Sequence, residues 1–171
     1  LMFLGAYLLY GPSPLLLARL LFGCAMIVLF VIDLQYRILP NAITLPGIVI
    51  GFLLSEFAGP GWKESLIGIA AGYGSLYVIA EGYYRLRGID GMGGGDLKML
   101  GMIGAFLGWR MVFVTSLFAS LSGTVLGLAF ILVKGKSWRY EFPFGCYLAI
   151  GAIVAAAAGQ PILQWWLGLF Q

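Results

Sequence analysis

Apolar runs alternate with short polar or glycine- and proline-rich breaks along the whole chain. After an apolar start, Leu1–Tyr10, the break Gly11-Pro12-Ser13-Pro14 leads into a run from Leu15 to Asp33, with Arg19 near its start. Gln35-Tyr36-Arg37 is polar, and Leu39-Pro40-Asn41 turns the chain. A second run covers Asn41–Ala58, with Pro46 in its first turns, and a loop follows at Gly59–Glu64. The third run, Ser65–Tyr84, ends at Arg85-Leu86-Arg87, and the fourth, Leu97–Gly108, is short and closed by Trp109-Arg110. Met111–Val133 is the fifth, Lys134–Glu141 a charged loop, and Phe142–Gly159 the sixth. Pro161–Gln171 reads as a separate interfacial tail with Trp165 and Trp166. About 20 apolar residues cross a bilayer core, so the pattern predicts an all-α, polytopic membrane bundle. It has about six transmembrane segments plus a partial one at the N-terminus, in one membrane-embedded domain over 1–171.

Composition agrees. Of 171 residues 61% are hydrophobic and 10% charged, against about 25% charged in a soluble domain. The 26 glycines include GxxxG spacings at Gly47/Gly51, Gly68/Gly72, Gly104/Gly108 and Gly123/Gly127, which predict close helix packing. Cys24 and Cys146 lack CxxC spacing and suggest neither a zinc site nor a disulfide. The chain has no histidine, which excludes Ser-His and Cys-His nucleophile systems and histidine metal sites. A net charge of +3 without a basic run gives no grip on nucleic acid. Leu1 opens inside an apolar stretch with no charged lead-in, the layout expected of a fragment or of a chain whose beginning is not shown.

Basic residues orient the bundle. Placing 33–41, 85–98 and 134–141 on one side gathers Arg37, Arg85, Arg87, Lys98, Lys134, Lys136 and Arg139, seven of the ten. The positive-inside rule makes that side cytoplasmic. Asp33 and Asp96, 63 positions apart, then share it. From Asp96 to Arg110 a helix rises only about 21 Å, against a hydrocarbon core of about 30 Å. If Trp109 and Arg110 mark the outer interface, Asp96 lies below the inner membrane surface.

Each carboxylate has two readings. Asp33 is a helix-end acid reaching the interface, or a functional intramembrane group. Asp96, after Gly93-Gly94-Gly95, is a helix N-cap or a catalytic acid. If the two meet, they cannot both hold full charge at close range and share one proton. Such a dyad suits peptide hydrolysis: the ionised member takes a proton from water and the protonated one polarises the scissile carbonyl. Glu81 and Arg85, spaced i,i+4, predict a local ion pair. Asp90 reads as a turn residue, and Glu56 and Glu64 as solvated ends of the outer loop. Glu141 pairs with nearby basic residues. Lys98 orients an acidic substrate group or snorkels to the cytoplasmic interface.

Asp33-Leu-Gln-Tyr-Arg-Ile-Leu-Pro-Asn41, followed by Gly93-Gly-Gly-Asp96-Leu-Lys98, resembles the type IV prepilin peptidases, bacterial membrane aspartic proteases of the GxGD class. Pro143-Phe144-Gly145 resembles their later Pro-Phe-Gly motif. The resemblance implies that Asp33 and Asp96 are the catalytic pair, that Gly93 and Gly95 shape the loop presenting Asp96, and that Pro143, Phe144 and Gly145 support the site. It implies cleavage of the basic leader from prepilins or pseudopilins at the cytoplasmic face of the inner membrane. The partners are then these substrates and lipid, and the peptidase needs no cofactor. Asp90 or Glu141 could attract the basic leader. Bifunctional members carry an earlier zinc-binding CxxC segment and methylate the new amine with S-adenosylmethionine. That segment is absent from 1–171, so cleavage is expected and methylation is doubtful. The rivals are an archaeal preflagellin peptidase, another GxGD intramembrane protease, or a transporter or scaffold whose acids relay protons.

Overall fold

The computed structural model describes residues 11–89, 92–134 and 143–168. They form six helices: α1 Pro14–Tyr36, α2 Asn41–Ala58, α3 Trp62–Arg87, α4 Gly94–Leu107, α5 Trp109–Lys134 and α6 Phe144–Gly168. Four of them, α1, α2, α5 and α6, are long and apolar enough to cross a membrane. The protein is a polytopic membrane helical bundle. The readings of Asp90, Lys136, Arg139 and Glu141, and of the leading stretch 1–10, fall outside the described residues.

The short helix is the centre. α4 packs against α3, α2, α5 and α6, and of its residues from Asp96 to Leu107 only Lys98 is not buried. Glycines make this possible. A Cβ on Gly68 would strike the Gly104 carbonyl, one on Gly104 the Gly68 carbonyl, and one on Gly72 the Leu100 carbonyl. Here α3 and α4 touch backbone to backbone and run antiparallel. The same approach seats α2 alongside α4: Gly47 faces the Met102 thioether, and a Cβ on Gly51 would lie 2.6 Å from the Phe106 ring. The buried Ser65 hydroxyl adds an interhelical bond, donating to the Ala105 carbonyl at 2.8 Å, of a kind worth about 0.6–2 kcal/mol within a bilayer. Of the four GxxxG spacings, Gly123/Gly127 is not a close contact. Among the described residues Gly123 has only the Tyr147 ring at ordinary distance, and a Cβ on Gly127 would meet nothing within 4 Å.

Contacts at the two ends show that the helices alternate in direction, as the basic-residue pattern requires. The ends of α1 and α3 and the starts of α2, α4 and α6 lie at one end, where Lys98 meets Asn41 and Asp33 meets Cys146. Arg19, Gly59, Pro60, Leu107 and Gln160 line a cavity of about 170 Å³ at the other.

Several boundaries move. α1 begins at Pro14, whose fixed φ suits the first helical position, with Ser13 as N-cap accepting from the Leu16 N–H. α3 begins at Trp62, inside the expected loop. The separate tail from Pro161 does not exist over the described residues, because α6 runs through Pro161 to Gly168. A proline in a helix strips the carbonyl four residues earlier of its donor, and bundle neighbours make this tolerable in membranes. The carbonyl so freed is that of Ala157; on the residue beside it, the Ala156 carbonyl accepts from Arg19 Nη1 at 2.9 Å.

Candidate active site

Asp33 lies in the last turn of α1. Arg37 takes the left-handed conformation (φ 55°) and its N–H bonds the Asp33 carbonyl at 2.9 Å, a C-cap that ends the helix just beyond the acid. The interface reading of Asp33 does not hold: the residue is 5% exposed. Its carboxylate turns to the first turn of α6, where the Cys146 N–H donates to Oδ2 at 2.9 Å. The Cys146 thiol in turn donates to the Phe30 carbonyl at 3.4 Å, tying α6 to α1 a second time.

Asp96 is not an N-cap. The helix starts among the glycines, with Gly93 as the capping residue and Asp96 in the third helical position. Its own N–H bonds the Gly93 carbonyl at 3.1 Å, and the residue is 9% exposed. The glycine loop therefore serves close approach more than unusual dihedrals. Gly93 has φ −71°, open to any residue, whereas a Cβ on Gly95 would lie 2.7 Å from the Leu39 Cβ. Positive φ is needed earlier, at Gly88, which closes α3 at φ 66°.

Leu39 joins the two acids' surroundings. Its Cβ lies against Gly95 on α4, and its Cδ1 would be 2.9 Å from a Cβ on Gly145 of α6. One buried leucine thus fills the space where the turn after Asp33 meets the helix carrying Asp96. Pro40 caps α2 and its carbonyl accepts the Ile43 and Thr44 N–H groups. Asn41 accepts from the Lys98 Nζ at 2.8 Å. Leu39-Pro40-Asn41, read from the sequence only as a turn, is therefore a wedge, a cap and a tether. Lys98, expected either to orient substrate or to snorkel, holds Asn41.

The remaining site residues gather at the start of α6. The Pro143 carbonyl accepts the Cys146 N–H at 3.2 Å. Gly145 is in contact with the Asp33 carboxylate: a Cβ there would meet Oδ2 at 2.8 Å and Cγ at 3.1 Å. Phe144 lines a groove of about 320 Å³ with Ala119, Ser120, Gly123, Thr124 and Tyr147. Sequence reasoning missed Leu39, Asn41 as a tether, and the Cys146 amide. The first two had a signal in the Leu-Pro-Asn motif. The amide had none, since any residue but proline carries one.

Zinc does not fit these residues. Among the described residues no three His, Cys, Asp or Glu side chains converge, and Cys24, exposed on α1, and Cys146, buried on α6, are both free. Glu81 and Arg85 form the expected i,i+4 ion pair at 2.8 Å on α3.

Residues 20–128, which contain both acids, match the family model described as the type IV leader peptidase family. The chain is 36% identical over 155 residues to the prepilin leader peptidase/N-methyltransferase of Aeromonas hydrophila, covering 90% of this chain and 53% of that protein. It is 36% identical to the protein of that name from Burkholderia pseudomallei over 160 residues, 92% of this chain and 51% of the relative. To that of Pseudomonas aeruginosa it is 32% identical over 151 residues, 88% and 52% of the two lengths. The chain thus spans about half the length of these curated relatives. No solved structure matches. The paired acids, the Leu-Pro-Asn turn and the glycine-led α4 fall within a match that covers more than half of the sequence, and on that match the chain belongs to the type IV leader peptidase family.

Proposed function

We propose that these residues form the aspartic endopeptidase that removes the basic leader from prepilins or pseudopilins at the cytoplasmic face of a bacterial inner membrane. One observation carries the reading: Asp33 and Asp96, 63 positions apart in sequence, are both buried at the same end of the bundle, where Leu39 touches both the helix carrying Asp96 and the glycine against the Asp33 carboxylate. Two carboxylates so placed share a proton. The ionised member accepts a proton from water as its oxygen attacks the scissile carbonyl, and the protonated member hydrogen-bonds the carbonyl oxygen. The proton then passes to the leaving amine. Acid and base are both supplied by the pair, so this hydrolysis calls on no cofactor.

The family match and the names of the relatives support the substrate class. Sidedness rests on Arg37, Arg85, Arg87 and Lys98, which follow or flank the helix ends that carry the acids. The substrate suits the position: a leader in the cytosol and an apolar helix in the bilayer put the cut at the membrane edge. We assign cleavage alone to these residues. The methyl-transfer activity in the relatives' names is not assigned to them, since the described residues offer no zinc site.

The test is leader cleavage of a prepilin in proteoliposomes. Asp33→Asn and Asp96→Asn are each expected to abolish cleavage while keeping the thermal unfolding profile of the parent, and a chelator is expected to leave the parent's rate unchanged. Retained cleavage in either variant removes the dyad.

A further inference from the structure

The Pro143-Phe144-Gly145 segment resembles a family motif whose use to the reaction the dyad alone does not explain. The geometry points to a specific role: the first turn of α6 positions Asp33, its Cys146 N–H holding Oδ2 through a gap that exists because residue 145 has no side chain, so that the other carboxylate oxygen, Oδ1, is the one turned to the chemistry. The inference rests on the dyad reading above and names a positioning element for it.

Three observations carry this. The Cys146 N–H donates to Asp33 Oδ2 at 2.9 Å, in a buried contact between residues 113 positions apart. The donor belongs to the first turn of a 25-residue helix, where the helix dipole favours an anion, and this N–H is shared between the Pro143 carbonyl at 3.2 Å and the nearer Asp33 Oδ2. The carboxylate reaches it only by pressing onto Gly145: a Cβ there would sit 2.8 Å from Oδ2, closer than real Cβ contacts come. Gly145 needs no special dihedral, because its φ is not among the positive ones. The glycine is required by the carboxylate's approach.

Orientation matters because proximity alone does not place a lone pair. A carboxylate free to rotate presents either oxygen to water, and misplacement by about 1 Å can cost a hundredfold in rate. Committing Oδ2 to the α6 amide removes that freedom before substrate arrives.

Gly145 also touches Leu39, whose Cδ1 would be 2.9 Å from an added Cβ. A purely packing role is therefore the alternative, and the two separate experimentally. Gly145→Ala is expected to lower kcat for prepilin cleavage at least tenfold with KM within twofold of the parent. Adding Leu39→Ala, which opens the packing side only, is expected not to restore it. Unchanged kcat in Gly145→Ala, or recovery in the double variant, overturns the proposal.

A second measurement does not depend on the Gly145 variant folding. The chain has two cysteines, so selective ¹⁵N-cysteine labelling gives two amide signals, with Cys24 as internal control. Asp33→Asn weakens the acceptor and is expected to move the Cys146 amide proton upfield while Cys24 stays in place. An unmoved Cys146 signal overturns the proposal. If Asp33→Asn retained cleavage, the dyad would fail whatever the amide did. If both acids proved essential and Leu39→Ala rescued Gly145→Ala, only this inference would fall.

Discussion

Lys98 Nζ donates to Asn41 Oδ1 at 2.8 Å, joining the helix that carries Asp96 to the first residue of the helix that follows Asp33. Lys98 stands two positions after one acid, and Asn41 eight after the other. The bond spans the two loops that must hold still for the acids to stay together. It is solvent-exposed, so its worth is modest, about 0.5–1.5 kcal/mol.

Breaking this tether is expected to slow cleavage by about two- to tenfold, the equivalent of that energy. Asn41→Leu and Lys98→Met should each do so, and the double variant should be no worse than the poorer single one, since both remove the same bond. Asn41→Asp keeps an acceptor for Lys98 and should retain most activity. Additive losses in the cycle, measured by kcat/KM on one prepilin, would instead give Lys98 a separate role at the substrate.

Gly104 at the α3–α4 seam and Gly127 on α5 predict opposite outcomes for the same substitution. Gly104→Ala places a methyl group on the Gly68 carbonyl, where backbone and not a flexible side chain must yield. Overpacking of this kind costs about 1–3 kcal/mol or more. Gly127 has nothing within 4 Å of an added Cβ, so Gly127→Ala should be neutral or stabilise by up to about 1 kcal/mol through helix propensity. Thermal unfolding in one detergent checks both. A Gly104→Ala protein as stable as the parent would mean that the two helices separate without penalty.

These contrasts mark what the sequence could and could not reveal. The run from Asn41 to about Ala58 is the second helix, Asn41–Ala58, because Pro40 before it and Gly59 after it punctuate the backbone locally. The order and alternating direction of the six helices also followed from apolar runs and basic loops. The cap reading of Asp96 fails because three glycines look like a loop in sequence, whereas Gly94 and Gly95 already begin the helix and Gly95 packs on Leu39, a contact no local signal reports. Pro161 reads as a helix break on local grounds, yet α6 continues through it to Gly168. Local chemistry was legible, whereas the long-range partners that override it were not.

Arg19 therefore predicts a stability effect remote from the acids. Its guanidinium bonds the Ala156 carbonyl at 2.9 Å, tying α1 to α6 at the end of the bundle opposite Asp33 and Asp96. Hydrogen bonds to charged groups contribute about 1.5–3 kcal/mol. Arg19→Met keeps much of the apolar stem and should lower the unfolding temperature while leaving KM for prepilin unchanged. Thermal unfolding in one detergent checks the shift, and an unfolding temperature equal to the parent's would show that the contact contributes nothing.

Thr115 offers a test in the stabilising direction. Its hydroxyl is fully buried in α5 and, among the described residues, has no hydrogen-bond partner. An unsatisfied buried hydroxyl costs about 1–3 kcal/mol, and its carbonyl side is already close to Gly151, where a Cβ would lie 2.7 Å from the Thr115 oxygen. The helix pair cannot spread to admit water there without losing that contact. Thr115→Val exchanges the hydroxyl for a methyl of similar size in a well-packed position, so the desolvation penalty disappears with little steric change. The variant is expected to unfold at a higher temperature than the parent, by the equivalent of about 1 kcal/mol, with cleavage unaffected. Thr115→Ser, which keeps the hydroxyl and loses the methyl, should be less stable than either. A valine variant that destabilises the protein would show that the hydroxyl is satisfied in the membrane by a group outside the described residues.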